Sequence, residues 1–181
     1  KPHTFSPAHE SEQPAELVCS NSFRSDAPDS AVGILKNEMR ALDSLLMEAA
    51  DATAVPAGKT LAVNREDFSA YVARVIDTNP SIELIRQEVT SLEQFADTPT
   101  ILATGPLTSD SLATELATLT GADRLFFYDA IAPIVEADSL DMDIIYEKSR
   151  WQDGPGDYLN CPFSEEEYSC FIHELKNAQY V

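Results

Sequence analysis

Apolar residues between Ala31 and Ala50 recur at a three-four spacing, at Leu35, Met39, Leu42, Leu46 and Ala49. This spacing predicts one amphipathic helix, with Ser30 as its N-cap. Val55-Pro56-Ala57-Gly58 interrupts the pattern, a short Leu61-Ala62-Val63 follows, and Asn64 with Asp67 reads as a capping box. The helix that starts there would bury Phe68, Tyr71, Val72, Val75 and Ile76 and stop at Asn79-Pro80. Extended chain is expected over Ile82–Ile85 and Glu88–Leu92, and a buried strand over Thr100-Ile101-Leu102-Ala103-Thr104, ending on the turn Gly105-Pro106. A further helix, Ser109–Thr120, carries Leu112, Leu116 and Leu119 and closes on Gly121. Leu125–Tyr128 and Ile131–Val135 read as strand, Ile144-Ile145-Tyr146 as helix, and Trp151–Pro162 as a loop around Gly154-Pro155-Gly156. Ser164 and Glu167 form a capping box ahead of a last helix with Tyr168, Phe171, Ile172 and Leu175. Helices alternating with strands predict a mixed α/β fold, with a domain change near Gly105–Ser109.

The first thirty residues break this rhythm. Four prolines and many Ser and Asp surround one apolar word, Leu17-Val18-Cys19. A long loop around a brief ordered turn is the expectation, and loops of this length inside compact domains are usually functional or disordered.

Composition narrows the partners. The chain has 181 residues, 44% hydrophobic, enough for a core. Against 12 Lys and Arg stand 31 Asp and Glu, a net charge of −19. Such a surface opposes unaided docking on nucleic acid, whose affinity rests on cations releasing counterions from phosphate. No apolar run approaches the length of a membrane span and no signal peptide is evident at the start, so a cytoplasmic setting without membrane attachment is expected. Cys19, Cys161 and Cys170 are odd in number and lack CxxC spacing, which fits reduced thiols better than disulfides or a zinc ribbon.

Most candidate chemistry has a plain reading. Ala57-Gly58-Lys59-Thr60 ends like a P-loop, but Thr53 stands where the first glycine is needed, so a turn is expected. Asp138, Asp141 and Asp143 lack the glycine and distal glutamate of a calcium loop and read as helix caps, so no metal site is expected. His3, His9 and His173 form no ligand trio, and Cys161 and Cys170, in and beside the apolar face of the terminal segment, read as buried small hydrophobes. Cys19 differs. In Ala15-Glu16-Leu17-Val18-Cys19-Ser20-Asn21-Ser22-Phe23-Arg24-Ser25, hydroxyls, an amide and an arginine crowd one thiol ahead of a helix. A guanidinium and a helix N-terminus favour thiolate, the attacking form, while the plain alternative is that these polar residues only cap the turn.

That segment resembles the AELVCSNS-type signature of the folate- and FAD-dependent tRNA uracil-5-methyltransferases. Other words similar to family blocks follow in order: Ala31-Val32-Gly33, Val55-Pro56-Ala57-Gly58, Leu61-Ala62-Val63-Asn64-Arg65, Ala103-Thr104-Gly105-Pro106-Leu107-Thr108-Ser109, Phe127-Tyr128-Asp129-Ala130 and Tyr158-Leu159-Asn160-Cys161-Pro162. Phe23 and Asp26 stand where the family pattern has Leu and Asn. Phe keeps an apolar contact, whereas Asp adds charge near the thiol.

The resemblance implies a glutathione-reductase-like FAD-binding domain over residues 1–107, lacking the first strand-GxGxxG-helix unit, and part of an inserted α/β substrate domain over 108–181. It implies FAD, methylenetetrahydrofolate and NAD(P)H as reductant, with the T-loop of tRNA as substrate. Cys19 would be catalytic. Ser22, Arg24, Val89, Thr104 and Gly105 would meet the flavin, the last two as an ATG-like motif at a strand end. Uracil C5 becomes nucleophilic once a thiolate adds at C6, after which a base must remove the C5 proton, so two thiols suit two roles. Lacking the pyrophosphate turn and the family's second cysteine, this stretch is expected to be an internal piece, inactive alone, of a parent whose C-terminal portion is more basic or whose organism has a generally acidic, salt-adapted proteome. The rival readings are a relative methylating a uridine of ribosomal RNA and a non-catalytic flavin-binding or interaction module.

Overall fold

A computed structural model describes residues 9–105, 107–121, 135–149 and 156–178. The fold is mixed α/β with small sheets, as the alternating pattern predicts. Backbone contacts group it into two units, Lys1–Val55 with Thr60–Pro133, and Pro56–Lys59 with Ile134–Val181. The expected strands at 125–128 and 131–134 and the turn Gly154-Pro155 lie outside the described residues.

The first unit contains β1 (Ser22–Ser25), α1 (Ala31–Ala41), α2 (Leu45–Ala52), β2 (Ala54–Val55), β3 (Thr60–Val63), α3 (Arg65–Thr78) and α4 (Asp110–Thr120). β3 lies between β1 and β2 and is antiparallel to both. The core is the corner where this sheet meets α2 and α3: Met47, Ala49, Ala50, Leu61, Val63, Phe68 and Val72 are buried, and Leu17, Phe23, Met39, Leu45, Tyr71 and Ile76 pack around them. The loop Leu17 and the strand Phe23 are thereby anchored on either side of Cys19.

The α3 prediction holds closely. Asn64 accepts from the Glu66 and Asp67 amides, Phe68 and Val72 are buried, and the helix ends at Thr78. The Asn64 amide donates to the Thr53 carbonyl, so the cap is one-sided rather than a reciprocal box. α4 also matches its expected span, with Leu112 buried and Gly121 closing it in the left-handed region.

The single helix expected over Ala31–Ala50 is two. Leu42 follows α1, Asp43 takes a left-handed φ of 54°, and α2 restarts at Leu45. Aspartate tolerates that conformation better than most residues. The turn resets which positions face inward, leaving Leu35, Leu42 and Leu46 exposed while Leu45, Met47 and Ala50 join the core.

The leader also differs from the expected loop, since β1 lies within it. Conversely, 100–104 is not a buried strand: the segment is unpaired and Ile101 is 91% exposed. The Ile82–Ile85 and Glu88–Leu92 runs likewise pair with nothing among the described residues, and Glu93–Phe95 forms a 3-10 turn. An apolar run becomes a strand only where a neighbour satisfies its backbone groups.

In the second unit β4 (Tyr146–Glu147) pairs antiparallel with β5 (Leu159–Asn160), and α5 (Glu165–Asn177) follows. The helix expected through Ile144–Tyr146 is replaced by a turn in which the Asp141 carboxylate accepts from the Asp143 amide, leading into β4. Aspartate can stabilise either a helix start or a turn, and here the turn prevails. The Ala57-Gly58-Lys59 stretch is a plain turn, its Ala57 carbonyl accepting from the Tyr158 hydroxyl at 2.8 Å and its Gly58 amide donating to Asp157 at 2.6 Å. α5 has the full capping box of Ser164 and Glu167. Its apolar side chains Tyr168, Phe171 and Leu175 are nevertheless exposed, as are Cys161 and Cys170, which were expected to be buried. Among the described residues no helix is long and apolar enough to cross a membrane.

Candidate functional site

Cys19 lies in a bend, half-buried and with a free thiol. Its setting is built by ties to the corner between β3 and α3. The Cys19 carbonyl accepts from Arg65 Nη2 at 3.3 Å. Asn21 Nδ2 donates to the Val63 carbonyl at 2.9 Å, and the Val63 amide donates back to the Asn21 carbonyl at 3.0 Å. Serine hydroxyls shape the rest: Ser20 Oγ accepts from the Ser22 amide and Ser22 Oγ from the Arg24 amide, each at 3.1 Å. The polar residues crowding the thiol thus do cap the turn, and also bind it to its scaffold. The chain does not pass from Cys19 straight into a helix, because β1 intervenes.

β1 is irregular. Ser22 pairs with Ala62 and Ser25 with Thr60, so Phe23 and Arg24 together stand opposite Leu61 alone. Arg24 occupies this bulge with φ of 66°, exposed, and its guanidinium has no hydrogen-bond or ion-pair partner among the described residues. Bulges of this kind re-aim a side chain and are frequent beside active sites.

One face of α1 grips the segment after the bulge, and sequence reasoning missed it. Gly33, Lys36 and Arg40 are spaced three and four apart and share a helix face. A Cβ on Gly33 would lie 2.0 Å from the Ala27 carbonyl oxygen, so only glycine lets the loop approach. Lys36 is 5% exposed and donates from Nζ to the Ser25 carbonyl at 2.6 Å. Arg40 takes both carboxylate oxygens of Asp26 at 3.0 Å and both of Asp51 at 2.7 and 2.8 Å. These bonds, to Asp51 first, raise the Arg40 pKa well above its usual value. The extra charge that Asp26 brings to the signature is therefore matched by Arg40. A signal existed in sequence, since Gly33, Lys36 and Arg40 fall at helical spacing, but apolar periodicity marks only the face of Leu35, Met39 and Leu42.

Among the remaining candidates, Val89 is half-buried in irregular chain. Thr104 is exposed, its hydroxyl 2.6 Å from that of Thr108, which donates to the Gly105 carbonyl at 3.0 Å. Gly105 has φ of 72°, and no atom among the described residues would lie within 4 Å of a Cβ there, so the turn's backbone calls for glycine. No hydrogen bond among the described residues links Val89, Thr104 or Gly105 to the Cys19–Ser25 segment. Nor do the described residues contain a cluster of three or more His, Cys, Asp or Glu able to hold a metal.

The sequence matches the family model described as glucose inhibited division protein A over residues 3–181. Among curated relatives, the methylenetetrahydrofolate–tRNA-(uracil-5-)-methyltransferase of Desulfotalea psychrophila is 57% identical over 181 residues. Proteins with the same description are 56% identical in Geobacter sulfurreducens over 182 residues and 52% identical in Bacillus subtilis over 181. Each alignment takes in 100% of this chain and 41% of the relative, so the chain spans about two fifths of their length. Matched by that model along all but its first two residues, this chain belongs to the glucose inhibited division protein A family.

Proposed function

We propose that the protein carrying this chain transfers a one-carbon unit from methylenetetrahydrofolate to C5 of a T-loop uridine in tRNA, forming 5-methyluridine, with FAD as cofactor and NAD(P)H as reductant. The observation that carries this reading is identity of 50–57% to curated tRNA uracil-5-methyltransferases across nearly the whole chain. Residues 1–107 are assigned to an FAD-binding domain and 108–181 to an inserted substrate domain, and the chain alone is taken to be inactive.

The residues present suit a flavin in two respects: among the described residues Arg24 offers an unpaired guanidinium on a bulge, and Gly105 leaves open space at a turn. Bound flavin supplies the carrying and reducing chemistry. Ser22, Arg24, Val89, Thr104 and Gly105 are assigned to hold it. Cys19 is assigned to the uridine, where one thiol adds at C6 and another group removes the C5 proton, and Cys19 takes one of these two roles. Arg65 and Asn21 fix its backbone, so the thiol meets the base with little reorganisation.

The test is to express the full-length protein, supply methylenetetrahydrofolate, FAD and NAD(P)H, and map 5-methyluridine in tRNA and ribosomal RNA. Methylation of the T-loop uridine supports the reading. Methylation confined to ribosomal RNA, or none with flavin bound, overturns it.

A further inference from the structure

We propose that Lys36 is a positioning residue for Arg24, holding the β1 bulge so that the guanidinium is presented to an anionic group of the bound cofactor. The inference rests on the flavin reading above for its ligand, but not for its geometry.

Lys36 is 5% exposed, and its ammonium has three protons to place. Its only hydrogen-bond partner among the described residues is the neutral Ser25 carbonyl, at 2.6 Å. The nearby carboxylate of Asp26 is held by Arg40 instead. Burying an ammonium without a counter-charge is unfavourable, and an apolar side chain of similar volume would fill the same space without that penalty. Packing alone therefore does not account for lysine here.

What the charge secures is the residue after Arg24. Arg24 has a left-handed φ of 66°, a conformation that side-chain-bearing residues adopt only where their surroundings impose it. Two bonds impose it, one on each side: Ser22 Oγ receives the Arg24 amide, and Lys36 holds the Ser25 carbonyl. Next to them, Ser25 Oγ accepts from the Ser30 hydroxyl and the Ala27 amide, and Arg40 fixes Asp26. The segment is over-determined on its helix side, while the side chain at its centre remains exposed. In a chain with 31 acidic residues, an arginine without an acidic partner among the described residues is available for an external anion.

The experiment uses the full-length protein with Lys36→Met, Lys36→Arg, Arg24→Gln and the Lys36→Met/Arg24→Gln double variant. Hydrogen exchange is followed in peptides covering 22–27, α1 and α3, and FAD affinity is measured by flavin fluorescence. Expected for Lys36→Met is exchange about tenfold faster confined to 22–27, with Lys36→Arg, which keeps a donor, closer to wild type. FAD affinity should fall by about tenfold in each of Lys36→Met and Arg24→Gln, and the double variant should be no weaker than Arg24→Gln alone. Unchanged exchange at 22–27, or exchange raised throughout α1 and α3, overturns the proposal, the latter by showing a general structural role. Multiplicative losses in the double variant also overturn it. If the wild type binds no FAD, the flavin reading fails, while the exchange data still decide whether Lys36 holds the bulge.

Discussion

The rings of Phe23 and Phe68 meet with centroids 5.4 Å apart and planes inclined by 52°. Phe68, 2% exposed on α3, is the largest side chain fully buried in the described structure, and Phe23 belongs to the bulged strand that follows Cys19. The contact ties the thiol-bearing segment to the core. Phe68→Ala is expected to destabilise the protein by about 3–5 kcal/mol through lost burial and the cavity left behind. Phe23→Leu keeps an apolar group there and should cost less than about 1.5 kcal/mol. Chemical denaturation of both variants distinguishes the two sizes of effect.

Arg40 joins Asp26 of the signature loop to Asp51 of α2 across the break between α1 and α2. The planar guanidinium serves both carboxylates, a geometry lysine cannot reproduce. Arg40→Lys is therefore expected to behave much like Arg40→Ala, each losing about 1–2 kcal/mol after allowance for the partial exposure of the three groups. Recovery of wild-type stability by Arg40→Lys would show that charge alone is sufficient.

Gly33→Ala places two effects in opposition. Alanine favours a helix over glycine by about 1 kcal/mol. Its methyl, however, would sit 2.0 Å from a backbone carbonyl oxygen, which cannot swing aside as a flexible side chain would. The clash should win, with a net loss of about 1–3 kcal/mol and a lower melting temperature.

The expected elements that hold are those specified locally. Asn64 and Ser164 cap the helices they precede, Pro80 follows the end of α3, and Gly121 closes α4, because each acts on backbone within a few residues. The failures need information from farther along the chain. Ile101 has strand chemistry but no strand beside it, and Leu35 and Leu42 have helical spacing but face away from the core that α2 and β3 form. In the candidate site, Cys19 and its polar neighbours are legible as a cluster. The partners that fix them, Arg65, Val63 and Lys36, lie between 11 and 46 residues away and were not.

Glu167 gives a pH-dependent signal in α5. The Ser164 amide, donating to its carboxylate at 2.8 Å, and secondarily the Ser164 side chain lower its pKa below the ordinary 4.5, while the Ser164 Oγ accepts from the Glu167 amide. A depressed carboxylate stabilises the fold above the unfolded-state value and loses that contribution as pH falls through the folded-state value. The α5 cap should therefore be intact at neutral pH and open only in acid below the usual carboxylate range. Following the Glu167 carboxyl by NMR, its titration should lie below 4.5, and Ser164→Pro, which removes the donating amide, should move it up towards 4.5. A wild-type titration at the ordinary 4.5, unmoved by Ser164→Pro, would show that the amide–carboxylate half of the capping box does not form in solution.

The most direct measurement is 5-methyluridine formation in T-loop tRNA by the full-length protein carrying Cys19→Ala, with flavin content and melting temperature recorded alongside. Methylation should fall by at least about a thousandfold, as expected when a nucleophile or base is removed, while the protein stays folded. Methylation at the wild-type rate without the thiol would contradict the catalytic role assigned to Cys19.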